Sequence, residues 1–181
     1  MIGFFTPTVD SYYGLAIFVK KELKIKEHAQ VEVYNKKDWT EIEDAHWQNR
    51  SLQWIKLQDK GKEFTVFNLH GYWTRDGLDH LCNLKQSDKI IKKIKSFTDQ
   101  PVILMGDFNL RPDTRSIGLF DEHLSNLIRK YNIKSTRTSY CPYPIRHADY
   151  VFVNDWVKVK SFEVLPDEVS DHNPLMLDFN L

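Results

Sequence analysis

Runs of apolar and β-branched residues separated by polar segments predict a chain built mainly of β-strands. The central run, residues 102–105, is continuously apolar between Pro101 and Gly106, which is typical of a strand buried on both faces. No regular element is predicted before Tyr12. Strands are also predicted at residues 12–19, 31–34, 52–57, 64–70, 148–153, 157–162 and 175–179.

Two further segments have apolar positions at helical spacing. In residues 81–97 the apolar positions recur along one face and lysines lie among them. Residues 119–131 predict a second helix, whose inward face carries Leu124, Leu127 and Ile128. Strands mixed with helices in this way indicate an α/β domain.

Length and composition favour one globular domain over residues 1–181, because 41% of the residues are hydrophobic and 28% are charged. No apolar run is long enough to span a bilayer and no signal peptide is visible, so a cytoplasmic protein is expected. Cys82 and Cys141 are too few for a disulfide framework or a cysteine zinc site.

The charges are balanced, with 25 Lys+Arg and 25 Asp+Glu. This balance disfavours a protein that coats nucleic acid without sequence preference. It still permits an enzyme that binds one phosphate group at a time, and nucleic acid remains among its expected partners.

Polar side chains recur where predicted strands end. Taken singly, each has an ordinary explanation as a turn or a loop cap. Reacting groups in α/β proteins are commonly presented just beyond the ends of strands, so the recurrence favours a functional site. Four segments carry these side chains: His70; Asp107 with Asn109; Asp149; and Asp171-His172-Asn173.

In this order the four segments resemble motifs of the endonuclease/exonuclease/phosphatase superfamily, which includes DNase I-like nucleases and inositol polyphosphate phosphatases. The resemblance begins near Tyr12 and continues to the C-terminus. It implies a four-layer sandwich of two mixed β-sheets flanked by helices. It also implies hydrolysis of a phosphodiester or a phosphomonoester with Mg²⁺ or Mn²⁺. The matching segments are Asn68-Leu-His70, Gly106-Asp107-Phe-Asn109, Ala148-Asp149-Tyr and Ser170-Asp171-His172-Asn-Pro174.

The resemblance also implies roles for individual residues. His172 would be the general base that activates water, and Asp149 would hydrogen-bond its far ring nitrogen. Asp171 and Asp107 would bind the metal, since Mg²⁺ prefers oxygen ligands. Asn109, together with Asp107, would orient the water and the phosphate oxygens.

Weaker expectations concern residues near the motifs. His70 resembles the histidine that contacts the phosphate or protonates the leaving group. Arg111 and Arg146 are candidate phosphate ligands, as are Arg115 and Arg137, although arginines in loops are more often solvated. Four aromatic residues could stack on a base or a sugar, with core packing as the default interpretation: Tyr72, Trp73, Tyr140 and Tyr143.

The sequence departs from the family pattern at its beginning. Complete family members carry an upstream Asn and a Glu in a Gln-Glu pair, both associated with the metal, and neither motif is found here. The chain therefore resembles the C-terminal majority of the family domain, lacking its N-terminal part. We expect weaker metal binding, and exposed sheet edges that self-association could cover.

Several hypotheses stay open at this point. The chain is a metal-dependent phosphoesterase in which water, Asp10 or a partner chain replaces the missing ligand, or it is a catalytically impaired remnant that binds phosphate compounds without turnover. An unrelated binding module would have its motif residues scattered in space. The substrate is equally open, because nucleic acid, nucleotides, phospholipid head groups and inositol phosphates all present similar phosphate esters.

Overall fold

The computed structural model describes residues 1–9, 11–35, 37, 49–97 and 99–181. A short 3₁₀ turn at Lys95–Phe97 extends the first helix. In chain order the elements are β1 (Ile2–Val9), β2 (Tyr13–Val19), β3 (Lys24–Tyr34), β4 (Arg50–Asp59), β5 (Lys62–His70), α1 (Leu81–Ile94), β6 (Val102–Asp107), α2 (Arg115–Asp121), β7 (Ser125–Asn126), α3 (Leu127–Lys130), β8 (Asp149–Val153), β9 (Lys158–Val164) and β10 (Leu175–Asn180).

A six-stranded mixed sheet organises the molecule, in the order β3-β4-β5-β6-β8-β7. Strands β5 and β6 run parallel, and the other neighbours are antiparallel. Paired residues in adjacent strands project to the same face. Because His70 pairs with Asp107 and Asp107 pairs with Asp149, three polar side chains lie side by side at one end of the sheet.

The two faces of this sheet are covered by different elements. On one face Trp54 and Phe67 pack with Ile90 and Ile94 of α1. On the other face the hairpin β1–β2 and the antiparallel pair β9–β10 form two small sheets. Residues of β2 pack there on β4 and β5, in the cluster Ile17, Val19, Ile55, Leu57 and Phe64. The predicted α/β class and mixed sheet are confirmed.

The expectation of no regular element before Tyr12 is wrong, because residues Ile2–Val9 form strand β1. Gly3 and Pro7 interrupt its apolar pattern, and both residues are unfavourable inside a central strand. Among the described residues β1 pairs only with β2, so it is an edge strand, where proline is tolerated. Strand β3 is also longer than predicted. Most of it is an exposed edge without an apolar face, so no apolar alternation marked its first residues.

The predicted helix at residues 119–131 is wrong as a single element. Its first part belongs to α2, which begins earlier, after the N-cap Thr114. Ser125 and Asn126 then pair with β8 as the short strand β7. The Asn126 side chain accepts a hydrogen bond from the N–H of Arg129 and starts α3. The three residues predicted to face inward are buried.

An apolar groove lies between β2 and β10. Ile17 and Val19 line one side, Leu177 and Phe179 line the other, and residues such as Ile55 form the floor. The predicted self-association would cover this surface and stays a prediction. Among the residues that the structure describes, no helix is long and apolar enough to cross a membrane.

Candidate active site

The His172–Asp149 pair is the centre of the site. The Nδ1 atom of His172 lies 2.8 Å from Oδ2 and 2.9 Å from Oδ1 of Asp149. An ionised carboxylate only accepts hydrogen bonds, so Nδ1 carries the proton and the lone pair remains on Nε2. This is the tautomer that a general base requires.

Electrostatics favour the charged form of this histidine. Burial on its own lowers the pKa of His172, but the hydrogen bond and the charge of Asp149, together with the charge of Asp107, outweigh it and raise that pKa above its ordinary value. The side chain thus holds a proton more readily than a free histidine does, and a proton that it takes from water is stabilised by the neighbouring carboxylates.

The end of β6 directs Asp107 toward His172. Gly106 has a φ of +139°, and a Cβ atom there would lie 2.0 Å from the carbonyl oxygen of Leu69, so only glycine fits. The Asp107 Oδ1 atom accepts a 2.8 Å hydrogen bond from the N–H of Asn109. Its Oδ2 atom lies 3.8 Å from Nε2 of both His70 and His172.

The ionised form of Asp107 is electrostatically unfavourable. Burial first, and then the charge of Asp149, raise the pKa of Asp107 from 3.8 to about 6, although His172 partly offsets them. Such a carboxyl is poised to exchange a proton or to accept a cation near neutral pH. Its neighbour Asn109 is buried and donates from Nδ2 to the carbonyl of Gly71 at 3.3 Å.

Arg137 approaches the same histidine from the loop before β8. Its Nη1 donates to Oδ2 of Asp171 at 2.8 Å and also contacts Nε2 of His172. The Asp171 Oδ2 atom is itself 3.7 Å from that Nε2. Two carboxylates and one guanidinium therefore surround the basic nitrogen of His172.

These groups line a cavity of about 230 Å³. Of the predicted site residues it contains His70, Asp107, Asn109, Asp171 and His172. Asp149 is not in the lining, because it lies behind the imidazole ring and contacts Nδ1. The structure thus brings the motif residues together, which excludes the hypothesis of scattered positions.

Arg111 and Arg146 do not line this cavity. They line a neighbouring hollow with Pro112 and Pro144, and Arg111 is paired with Asp113 at 3.1 Å. Their role as phosphate ligands stays a prediction. Arg137, which had no stronger claim than the other loop arginines in the sequence, takes the position at the site.

Aromatic and further basic residues complete the wall. Trp73 and Tyr143 line the cavity with 38% and 49% of their surfaces exposed, so core packing is the wrong interpretation for them. Tyr72 is buried, as core packing requires. Arg75 and His147 also line the cavity and were not predicted, since no motif marks them.

The donor set partly suits a divalent cation. Asp107, Asp149 and His172 can each offer a ligand atom, and these atoms lie within 4.8 Å of one another. Carboxylate oxygens are the ligands that Mg²⁺ prefers. Asp171 is not in this group, and its Oδ2 is paired with Nη1 of Arg137. Asp10, the suggested substitute ligand, lies outside the described residues.

Comparison with known proteins agrees with this geometry. Residues 2–172 match the model of the Endonuclease/Exonuclease/phosphatase family. Protein angel from Drosophila melanogaster is 28% identical over 102 residues, which cover 56% of this chain and 28% of that protein. The match therefore spans less than a third of the length of that protein.

Solved structures share the fold at low sequence identity. An endonuclease/exonuclease/phosphatase from Bacteroides vulgatus has a TM-score of 0.75 and 21% identity, covering 99% of this chain and 76% of that one. A mannosyl-6-phosphatase from Bacteroides thetaiotaomicron has a TM-score of 0.74 and 23% identity, covering 92% and 70%. TDP2 from D. rerio, complexed with a single-strand DNA product, has a TM-score of 0.75 and 17% identity, covering 99% and 77%.

Proposed function

The chain belongs to the endonuclease/exonuclease/phosphatase family of phosphoester hydrolases, and we propose that it hydrolyses a phosphodiester or a phosphomonoester with water activated by His172. The observation that carries this proposal is the hydrogen bond between His172 Nδ1 and Asp149, which leaves Nε2 directed into the cavity. A neutral imidazole held in this way accepts a proton from water.

The other residues of the cavity position the phosphate. His70 lies on the same face as Asp107, at the end of the neighbouring strand, where it can contact a phosphate oxygen or give a proton to the leaving group. Asn109 is held rigidly by the turn and its hydrogen bonds, which keeps the adjacent carboxylate oriented. These residues would orient a bound phosphate toward the attacking water.

The family resemblance implies Asp107 and Asp171 as cation ligands; Asp107 belongs to the cluster that could hold a cation, whereas Asp171 lies outside it. When bound, Mg²⁺ or Mn²⁺ would neutralise charge on the phosphate oxygens. Asp107 carries an oxygen directed into the cavity and has a raised pKa, so a cation there would relieve repulsion from Asp149. Asp171 would first have to release Arg137.

Hydrolysis of bis(p-nitrophenyl) phosphate and of p-nitrophenyl phosphate, each titrated with Mg²⁺ and Mn²⁺, tests the proposal. We expect His172→Ala to lower the rate by about 10²- to 10⁴-fold, the usual contribution of a general base. His123→Ala is the matched control, because His123 is exposed and does not line the cavity. A rate equal to wild type in His172→Ala would disprove the proposed mechanism.

The competing hypothesis is a phosphate-binding protein with impaired turnover. The contact between Arg137 and His172 Nε2 favours it, because a base that is already in contact with a cation cannot take a proton. The two hypotheses differ in one result. Binding of inorganic phosphate without hydrolysis of either ester, at any metal concentration, would identify the impaired protein.

The substrate class is open to the same assay. Relatives of similar fold include a mannosyl-6-phosphatase and a protein complexed with single-strand DNA. A cavity of about 230 Å³ bordered by Trp73 and Tyr143 suits one phosphate and the sugar or base beside it. We therefore propose comparing a mannose 6-phosphate with a short single-stranded oligonucleotide, each against the generic esters.

A further inference from the structure

The segment that carries Arg137 is fixed to the segment that carries the general base. Arg137 and His172 form an isolated antiparallel bridge. On either side, the N–H of Asn173 donates to the carbonyl of Thr136 at 2.9 Å, and the N–H of Thr138 donates to the carbonyl of Asp171 at 3.1 Å. The backbone hydrogen bonds therefore place the arginine beside the histidine.

The interior of the fold supports this segment from below. The Thr136 hydroxyl accepts hydrogen bonds from the N–H groups of Ala148 and Asp149 at 3.2 and 3.3 Å. The Thr138 hydroxyl donates to the carbonyl of Ser170 at 2.7 Å. Both threonines are buried. The Thr136 hydroxyl thus links the segment that carries Arg137 to the start of β8, where Asp149, the partner of His172, lies.

One N–H group of the Arg137 guanidinium has no acceptor among the described residues. Only 11% of the Arg137 side chain is exposed, and Nη1 already serves Asp171 and contacts His172. Its Nε is buried and has no hydrogen-bond partner among the residues that the structure describes. Arg137 also lines the cavity, and its planar guanidinium can donate two parallel hydrogen bonds to a tetrahedral oxyanion.

We propose that Arg137 binds the phosphate group of the substrate and that this binding uncovers the general base. The inference rests on the proposed function and extends it to the control of His172. The Nε2 lone pair accepts either from the guanidinium or from water, but not from both. A phosphate oxyanion is a stronger partner for a guanidinium than a neutral imidazole is, so an arriving phosphate draws Nη1 away.

No covalent step is involved in this exchange. The arginine replaces one acceptor with another, and the freed Nε2 becomes available to the water that will attack. Without a phosphate group the base stays covered, and water in the empty cavity is not activated. Arg137 is therefore a substrate-binding residue with a second, gating effect on His172.

Binding of inorganic phosphate to the metal-free full chain tests the first half of the proposal. Isothermal titration calorimetry would compare wild type with Arg137→Gln and Arg137→Lys. We expect the affinity to fall by about 10- to 100-fold in Arg137→Gln, the usual effect of losing hydrogen bonds to a charged group. Arg137→Lys keeps the charge without the fork and would lie between the two.

Arg129→Gln is the matched control for the charge. Arg129 pairs with Asp121 at 2.8 Å, is half exposed and does not line the cavity, so its replacement leaves phosphate affinity unchanged. Thermal unfolding of each variant establishes folding, and if Arg137→Gln does not fold, the comparison is made with Arg137→Lys. Equal affinity in wild type and the folded Arg137 variant, or no binding to wild type at millimolar phosphate, would overturn the proposal.

Chemical modification tests the second half. Diethyl pyrocarbonate reacts with an imidazole nitrogen that is unprotonated and accessible. Mass spectrometry gives the modification rate of each histidine. Without phosphate at about pH 8, where free histidines are neutral, we expect His172 to react several-fold faster in Arg137→Gln than in wild type, with exposed His123 as the internal reference. An unchanged ratio of the two rates would refute the covering of the base.

These readouts separate the inference from the proposed function. Phosphate binding through Arg137 in a protein that hydrolyses no ester would keep the binding role and reject the enzyme. Hydrolysis that depends on His172 but not on Arg137 would keep the enzyme and reject the inference.

Discussion

Replacing Asp107 by asparagine is predicted to stabilise the fold at neutral and alkaline pH. Burial and the charge of Asp149 raise the pKa of Asp107 from 3.8 to about 6, so the folded protein holds this proton more tightly than the unfolded chain does. The Asp107 Oδ1 atom accepts from the N–H of Asn109 at 2.8 Å. An amide oxygen accepts the same hydrogen bond, so the replacement removes the charge and keeps the turn.

The sign and size of the effect follow from proton linkage. A carboxyl with a raised folded pKa makes the folded state less stable as pH rises from about 4 to about 7, because the unfolded chain releases its proton first. At 1.36 kcal/mol per pKa unit, the cost of the Asp107 charge is at most about 3 kcal/mol at neutral pH and about 0.5 kcal/mol at pH 4. Removing it would raise Tm by up to about 5 to 10 °C at neutral pH.

Thermal unfolding followed by circular dichroism, with a chelator present, would measure this difference at about pH 4 and about pH 8. Asp155→Asn is the matched control, since Asp155 is exposed just beyond the other end of β8. We expect the advantage of Asp107→Asn over wild type to grow with pH and the control to show no such trend. An advantage that is equal at both pH values, or a variant less stable than wild type at the higher pH, would refute the electrostatic argument.

Three more predictions concern the dyad, the glycine near the end of β6 and a glycine of α2. In Asp149→Asn we expect kcat to fall by about 10²- to 10⁴-fold. The acid limb of kcat/KM should move to lower pH, because Asp149 raises the pKa of His172. In Gly106→Ala the new Cβ would meet the carbonyl oxygen of Leu69, so urea unfolding should show a loss of at least about 3 kcal/mol. Gly118→Ala in α2 should gain about 0.5 to 1 kcal/mol of unfolding free energy, because, apart from the adjacent residues and the helix backbone, the described residues place no atom within 4 Å of the new Cβ.

The ends of the central strands could be predicted from sequence because their signals are local. A continuous apolar run between Pro101 and Gly106 has one natural interpretation, and the observed strand β6, Val102–Asp107, follows it closely. The register between strands, in contrast, could not be predicted from the sequence. The alignment of His70 with Asp107 and of Asp107 with Asp149 depends on pairings between distant segments, which no local pattern specifies.

Strand β1 and the first part of β3 were missed for the same physical reason. Strand β1 and most of β3 are sheet edges, where burial does not impose an apolar alternation and where breaking or charged residues are tolerated. The interruption between α2 and α3 arises because Ser125 and Asn126 pair with β8. Helical spacing of the apolar residues continues through this interruption, so periodicity alone predicts one helix.

The contrast between the general base and its arginine shows what motifs can establish. His172 and Asp149 were predicted as a pair from the motif resemblance, and the structure places Nδ1 of His172 2.8 Å from Oδ2 of Asp149. Arg137 was not distinguishable from other loop arginines, because its position depends on a bridge to a residue 35 positions away. That arginine contacts the nitrogen on which the proposed chemistry depends. The motifs therefore predict the proposed reacting groups, whereas in our proposal the state of the base depends on whether Arg137 donates to His172 or to a phosphate oxygen.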